Sequence, residues 1–561
     1  MPETYLFTPY THTTTTEHFI SKAKTGAIIC LDLEDSIGRL YDDTESNRLK
    51  AVQRTVLVNL LTAVQQQPIT PKLGIRINAS ATANQLLDIE CLHGFGNIHS
   101  IIIPKVTSAG HIVHCREALA KANIGYREII PIVESPQGIA NIQGIIQAGG
   151  ITKIGFGHCD YNESVQAFPF FHQDAPEYWK WVRQIIKKIK HYNVQFINSA
   201  CLQLNNNELF TAMLLYLHFL SGGQFGQFAL TANQALLCKN YSGKPAPMYD
   251  IKNRENLTVY KQDALAFIEA FDKENKGRPF TVTDGGIFLS PHEYRVAKLY
   301  AARQYKKEVH FTFVGGCFPV QDDILIENIF HWHLKRKMEE QLQINLQVNI
   351  IRYERFANCL EKINSHASKN NVSHLVFHIR TEPFLRLIKL YYKYIDENGT
   401  QKHSANLPFL KLINPEKYDM LLFSRRYTYT DAENKNPLYK TLINLNYMAG
   451  YLLGNYSHAL KKYAALVNSI AVYCQQHNIE LTVIGPALRA NTWLEKTISK
   501  HLEKYMRKSL GYLGEKYITG LLPHNYNGVA YFNRNGIHAK ENYHAFIADK
   551  LFKRLKTCLT A

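Results

Sequence analysis

From Tyr5 to about Ala302 the chain alternates short apolar runs with longer amphipathic stretches. The runs are "AIICLDLED", "KLGIRIN", "SIIIPKV", "REIIPIVES", "KIGFGHCD" and "VQFINSA". Between them lie segments such as "AVQRTVLVNLLTAVQQ" and "HIVHCREALAKAN", where apolar positions recur at helical spacing. Apolar strands separated by helical patterns predict a parallel sheet joined by crossovers, either open or closed into a barrel. The polar ends of successive runs favour the closed form, a (β/α)8 barrel, whose active sites form where strands leave the core. A second alternation begins near Lys306. "KKEVHFTFVGGCF" reads as a new first strand ending in a glycine turn, followed by "LQVNIIRY", "VSHLVFHIR" and "IELTVIGPA". Two α/β domains are expected, residues 1–305 and 306–561, with the boundary between Arg303 and Glu308.

Length and composition agree with this division. A chain of 561 residues exceeds what one core organises. Its apolar and aromatic content, 46% and 12%, belongs to a globular chain and not a disordered one. No apolar run approaches the length that spans a bilayer. The opening "MPETYLFTPYTHTTTTEHF" has no basic region followed by an apolar one, so no secretory signal is expected. Ten cysteines occur without a CxxC pair. That argues against a zinc module or a disulfide framework and for reduced thiols in a cytoplasm. The net charge of +17 is dispersed through "RQIIKKIKH", "HLKRKMEE" and "KLFKRLK", mostly at helical spacing. Such solvated faces are a poor footprint for nucleic acid, and attraction of anionic substrates is a milder use of the charge.

Four strand ends carry unusual polar groups. They are Asp32, Glu34 and Asp35; Arg76 and Asn78; Glu134; and Asp160. In one barrel these groups converge on one mouth. Several carboxylates together repel one another unless a cation joins them. Oxygen donors without a His or Cys cluster favour Mg²⁺ or Mn²⁺ over zinc. An arginine beside them can clamp a carboxylate substrate through two hydrogen bonds. Metal plus arginine suits polarising a keto acid and stabilising an enolate. The same residues could equally form rim salt bridges, because ion-pair networks also gather carboxylates.

The stretch "LFTPYTHTTTTEHFISKAKTGAIICLDLEDSI" resembles the opening of the citrate lyase β-subunit and malyl-CoA lyase family, within the HpcH/HpaI aldolase group. The likeness continues in order through "RIN", "IPKV", "VESPQGI" and "FGHCDYNESV", and reaches "DGGIFLSPHEYRVAKL", so it covers roughly residues 4 to 302. The resemblance implies a TIM barrel and a trimeric or hexameric homo-oligomer. It implies that Glu134 and Asp160 bind Mg²⁺. Arg76, with Asn78 near it, would contact the substrate, and Asp32, Glu34 and Asp35 would support the site from behind. The implied reaction makes or breaks a carbon–carbon bond between a keto acid and an acyl enolate. Two departures bear on CoA. The Gly-Lys-x-x-Ile-His-Pro pattern is replaced by "GQFALTA" at Gly226 to Ala232, and the proton-donating aspartate of a later pattern by Leu289. A CoA-independent lyase acting on a small keto or hydroxy acid is therefore expected, with a barrel that only binds ligand as the alternative.

In the second half, "FTFVGGCFPVQDD" puts Cys317 after a strand and a Gly315-Gly316 turn, and "YFNRNGIHAKENYHAF" puts His538 before an amphipathic helix. A nucleophile on a tight turn and a base on a later loop are parts of a hydrolase or acyltransferase. The arrangement resembles the SGNH (GDSL-like) hydrolases, whose fold is an α/β/α sandwich. The resemblance matches Cys317 to the serine nucleophile, His538 to the base and Asn535 to its orienting acid. Arg380, in "FHIRTEPF", occupies the expected place of the oxyanion block and could bind an oxyanion or a substrate carboxylate. A cysteine beside a histidine is a competent nucleophile, and asparagine can orient a histidine. A lone cysteine after a strand is more often a small buried hydrophobe, so a degenerate, non-catalytic domain stays open. So does an esterase in which only this half is active.

Overall fold

The computed structural model describes residues 2–67, 71–246, 263–275, 277–316, 318–321, 324–353, 356, 358–381, 384–385, 391–395, 401–405, 426–427, 437–452, 455–488, 493–522, 528–532 and 538–560. Cys317 and Asn535 lie outside the described residues. The chain divides into two compact units, Met1–Arg303 and Gln304–Ala561.

The first unit is a closed barrel of eight parallel strands in sequence order. They are β1 (Glu3–Phe7), β2 (Ile28–Asp32), β3 (Leu73–Arg76), β4 (Ile98–Ile103), β5 (Tyr126–Val133), β6 (Lys153–Phe156), β7 (Gln195–Asn198) and β8 (Phe225–Ala229). β1 pairs with both β2 and β8, which closes the ring. β2 and β4 are buried along their whole length, which explains their unbroken apolar runs. Tyr5, Ile28, Cys30, Ile102, Ile130, Ile132, Ile197 and Phe228 pack together as a core cluster. At the N-terminal end of the strands Lys153 pairs with Glu128, and Tyr5 and Ser100 donate to the same carboxylate. The barrel is followed by a helix Ala264–Glu274, a short antiparallel pair Thr281–Val282 with Phe288–Leu289, and a helix Pro291–Ala301. Leu289 is buried among Phe170, Phe267, Phe271 and Tyr294.

Register places the rim. Asp32, the last residue of β2, is the cross-strand neighbour of Arg76, the last of β3. Beyond β3 the chain is pinned by a buried pair. Arg54, from the helix Asp43–Gln65, donates to Asp88 at 2.7 Å, and Asp88 accepts from both the backbone and the side chain of Asn78.

The second unit holds a five-stranded parallel sheet. Its spatial order is Ile344–Arg352, Lys307–Gly315, His374–His378, Glu480–Ile484, Tyr517–Ile518, or second-first-third-fourth-fifth along the chain. In such doubly wound sheets the crevice lies at the carboxyl ends of the first and third strands, where the strand order reverses. Gly316 follows the first strand there and Arg380 follows the third. No helix among the described residues is long and apolar enough to cross a membrane.

Candidate active site at the barrel mouth

The acidic run after β2 is divided between two cations. Asp32 accepts from Arg76 Nε and Nη2 at 2.7 Å each, and from the backbone N–H groups of Glu34 and Ser36 at 3.0 Å. Against burial, which is the largest influence, Arg76 and then Ser36 hold the Asp32 carboxyl below its ordinary range. The remaining arm of Arg76, Nη1, lies 3.2 Å from Glu34 and 3.7 Å from Asp35.

The second cation is Lys105, at the end of β4 in "IPKV". Its Nζ lies 2.5 Å from Glu34, 3.1 Å from Asp35 and 3.2 Å from Asp160. Burial opposes the charge, but Asp160, Glu34 and Asp35 raise the Lys105 pKa above its ordinary value. Its backbone N–H donates to Glu134 at 2.7 Å, so one residue touches all four acidic positions beyond Asp32. Burial and then the Asp35 carboxylate push Glu34 up to about 8. Against burial, Lys105 and His292 hold Asp35 well below the usual carboxylate range. Glu34 and Asp35 together therefore retain a proton at neutral pH.

Glu134 closes β5 and reaches across to the start of the helix His158–Ser164. Gly157 makes that approach possible, because a Cβ there would lie 2.2 Å from Glu134 Oε1. Burial and then Asp160 raise the Glu134 pKa well above the ordinary value. Asp160 sits in the first turn of that helix.

Sequence reading missed three members of this group, Lys105, His292 and Glu163. His292, in the first turn of the helix Pro291–Ala301, brings Nε2 to 3.1 Å from Asp35 and 3.3 Å from Asp160. Its Nδ1 is 2.5 Å from Glu163. Burial opposes protonation, but Asp160 and Asp35 raise the His292 pKa well above its ordinary value. Lys105 was visible at a strand end in "IPKV"; His292 carried no local signal. Asn78 is near the mouth but committed elsewhere. Its amide donates to Leu33 O and Asp88, and its Oδ1 accepts from Lys50.

The donor set fits a divalent cation. Six carboxylates face Arg76, Lys105 and His292. Asp35, Asp160 and His292 each offer a ligand atom within 4.8 Å of the others. Asp160 Oδ1 and Glu34 Oε2 are buried without a hydrogen bond of good geometry, although ion-pair partners lie near them. Buried carboxylate oxygens in that state are costly, and a cation removes the cost.

In the second unit Arg380 packs against Gly316. A Cβ on Gly316 would lie 2.2 Å from Arg380 Nε. The guanidinium donates to Tyr353 O at 2.5 Å and lies over the Tyr353 ring, 5.2 Å from its centroid. His538 is partly buried beside the short bridge between Phe532 and Ala539.

The family described as HpcH/HpaI aldolase/citrate lyase matches residues 4–214. Among solved structures, the citrate lyase β subunit of M. tuberculosis complexed with oxaloacetate and magnesium is 18% identical. That match covers 42% of this chain and 96% of that one, with a TM-score of 0.33. The M. tuberculosis protein CitE in complex with magnesium and pyruvate is 19% identical over 44% of this chain and 93% of its own, TM-score 0.33. RipC from Yersinia pestis is 18% identical over 43% and 96%, TM-score 0.32. No curated protein matches the chain.

Proposed function

We propose, with residues 4–214 matching the HpcH/HpaI aldolase/citrate lyase family, that the first unit is a divalent-metal carbon–carbon lyase for a small keto or hydroxy acid, acting without CoA. The observation that carries the reading is the mouth itself. An arginine with one arm turned toward Glu34 and Asp35 stands beside buried carboxylate oxygens that lack good hydrogen bonds. Glu134 and Asp160 would hold Mg²⁺ or Mn²⁺, with Asp35 and His292 in reach of Asp160. When bound, such a cation polarises a keto oxygen and steadies an enolate.

The chain's own groups supply the rest. Asp32 fixes the plane of Arg76, so its Nη1 arm can meet a substrate carboxylate in one orientation. His292 Nε2 and Lys105 Nζ are the proton carriers nearest the mouth. Either takes over the duty that Leu289, buried in apolar packing, cannot perform. The reading without CoA is supported by the same position and by Gln227. That side chain is buried in β8 and bonds Asn198, Ser199 and Phe228. The test is Glu134→Gln assayed against pyruvate, oxaloacetate and glyoxylate. Metal-dependent turnover should fall by about 100-fold or more, and retained turnover refutes the assignment.

For the second unit the reading is an SGNH-like acyl or ester transferase using Cys317, His538 and Asn535. Its support is the second-first-third strand order and the packing of Arg380 on Gly316, one residue before Cys317. An electrophilic acyl probe should label Cys317 in the full chain and fail to label it in His538→Ala. Equal labelling sinks the proposal. The barrel would then make or cleave a hydroxy-acid unit that the second unit attaches or releases.

A further inference from the structure

A second cluster lies behind the mouth, built from different atoms of the same two helices. His158 opens the helix that carries Asp160 and Glu163. Glu293 follows His292 on the helix Pro291–Ala301. His172 comes from the loop between the helices His158–Ser164 and Pro176–Ile189. All three are buried, at 1%, 0% and 8% exposure, and each offers a ligand atom within 4.8 Å of the others. Where the mouth is rich in oxygen, this cluster is rich in imidazole nitrogen.

The orientation of each group points inward. His158 Nδ1 is 2.5 Å from Ser199 Oγ, which also accepts the His158 backbone N–H at 3.3 Å. An Nδ1–H donated to that oxygen leaves Nε2 as the ligand atom. Glu293 Oε1 accepts from Asn162 Nδ2 at 2.9 Å and lies 2.7 Å from His172 Nε2. Its other oxygen, Oε2, is buried with no hydrogen bond. An unpartnered carboxylate oxygen at zero exposure beside two imidazoles is a costly arrangement in the absence of a cation. Cys159 Sγ stands 3.9 Å from His158 Nε2. Bond lengths near 2.0–2.2 Å put neighbouring ligand atoms of a tetrahedral ion roughly 3.3–3.6 Å apart, so small side-chain shifts bring His158, His172 and Glu293 around one centre.

We propose that His158, His172 and Glu293 form a second metal site, selective for Zn²⁺. Two imidazoles and one carboxylate suit zinc and disfavour Mg²⁺, which prefers oxygen alone. The ion ties the helix bearing Asp160 and Glu163 to the helix bearing His292. It is thus a structural brace for the mouth and takes no part in the reaction. This inference stands apart from the proposed lyase chemistry, because its ligands differ.

The test uses the full chain, stripped with chelator and reloaded with Zn²⁺ or Co²⁺ in excess Mg²⁺, which occupies the oxygen-rich site. After desalting, elemental analysis should find about one zinc per chain. The cobalt form should show the intense visible bands of four-coordinate Co²⁺, and His172→Asn should remove them. Glu293→Gln and His172→Asn should each weaken zinc binding by roughly 100-fold, while Asp160→Asn keeps it. The proposal is overturned if wild-type protein retains no zinc under excess Mg²⁺. It is also overturned if Asp160→Asn loses zinc while Glu293→Gln holds it. The wild-type cobalt spectrum decides the matter even where a variant does not fold.

Discussion

Glu34 offers the sharpest quantitative test of the barrel mouth. Burial and the neighbouring Asp35 carboxylate raise it from 4.5 to about 8. The folded state therefore binds this proton more tightly than the unfolded chain. Its contribution to stability is whole below the unfolded value and is lost as pH rises through about 8. Linkage between 4.5 and 8 gives a loss of about 2 kcal/mol between roughly pH 6 and roughly pH 8 from this carboxyl alone. Glu134 and His292, also raised, add losses of their own above their ordinary values, so the wild-type slope contains all three groups. Asp35 is lowered and Lys105 is raised, so their contributions change in acid and in strong base, outside the window. Glu34→Gln mimics the protonated carboxyl and removes only its share. The assay is hydrogen exchange of peptides covering β2 and β3 in the full chain with chelator present, corrected for intrinsic rates. Protection in wild type should fall about 30-fold more than in Glu34→Gln across that interval. Parallel curves for the two proteins would refute the shared-proton picture and leave Glu34 an ordinary ion-pair partner of Lys105.

Gly157→Ala places a Cβ 2.2 Å from Glu134 Oε1, so the carboxylate must move. Mn²⁺ affinity, read by electron paramagnetic resonance of the free ion, should drop roughly 10- to 100-fold; an unchanged affinity removes Glu134 from the ligand set. Arg76→Lys replaces a two-bonded guanidinium by a point charge, and calorimetric titration with pyruvate in Mg²⁺ should show binding weaker by about 10-fold or more. Asp88→Ala strands Arg54 in a buried place and frees Asn78. The barrel should lose about 3–5 kcal/mol, seen as an earlier calorimetric transition, whereas a shift under about 1 kcal/mol would show the pair to be dispensable.

The barrel and its rim were legible because two periodicities converge there. Buried parallel strands write unbroken apolar runs, and a closed parallel barrel sends every strand's end to one face. Asp32 and Arg76 could be expected at one mouth, and register makes them neighbours. The acidic stretch after β2 is now accounted for residue by residue. Asp32 orients an arginine, and Glu34 and Asp35 share Lys105 and a proton. His292 was not legible, because it arrives on a helix after the barrel repeat has ended, and its position depends on how that helix packs. The imidazole cluster was hidden more deeply. Counting cysteines argues against a zinc module, but a site drawn from residues 158, 172 and 293 has no spacing for such a count to detect.

The two clusters have a common mechanical logic. The helix His158–Ser164 gives His158 to one and Asp160 and Glu163 to the other, while the helix Pro291–Ala301 gives Glu293 to one and His292 to the other. Neighbouring residues on a helix point in different directions, so each helix can serve both groups only at a fixed rotation. Locking the buried pair His172–Glu293 with Asn162 therefore fixes where His292 Nε2 stands against Asp160. Glu293→Gln should consequently lower the affinity of the oxygen-rich site for Mn²⁺, although Glu293 is not proposed as one of its ligands. A variant whose Mn²⁺ affinity is unchanged while His292 remains in place would show that the two clusters fold side by side without coupling.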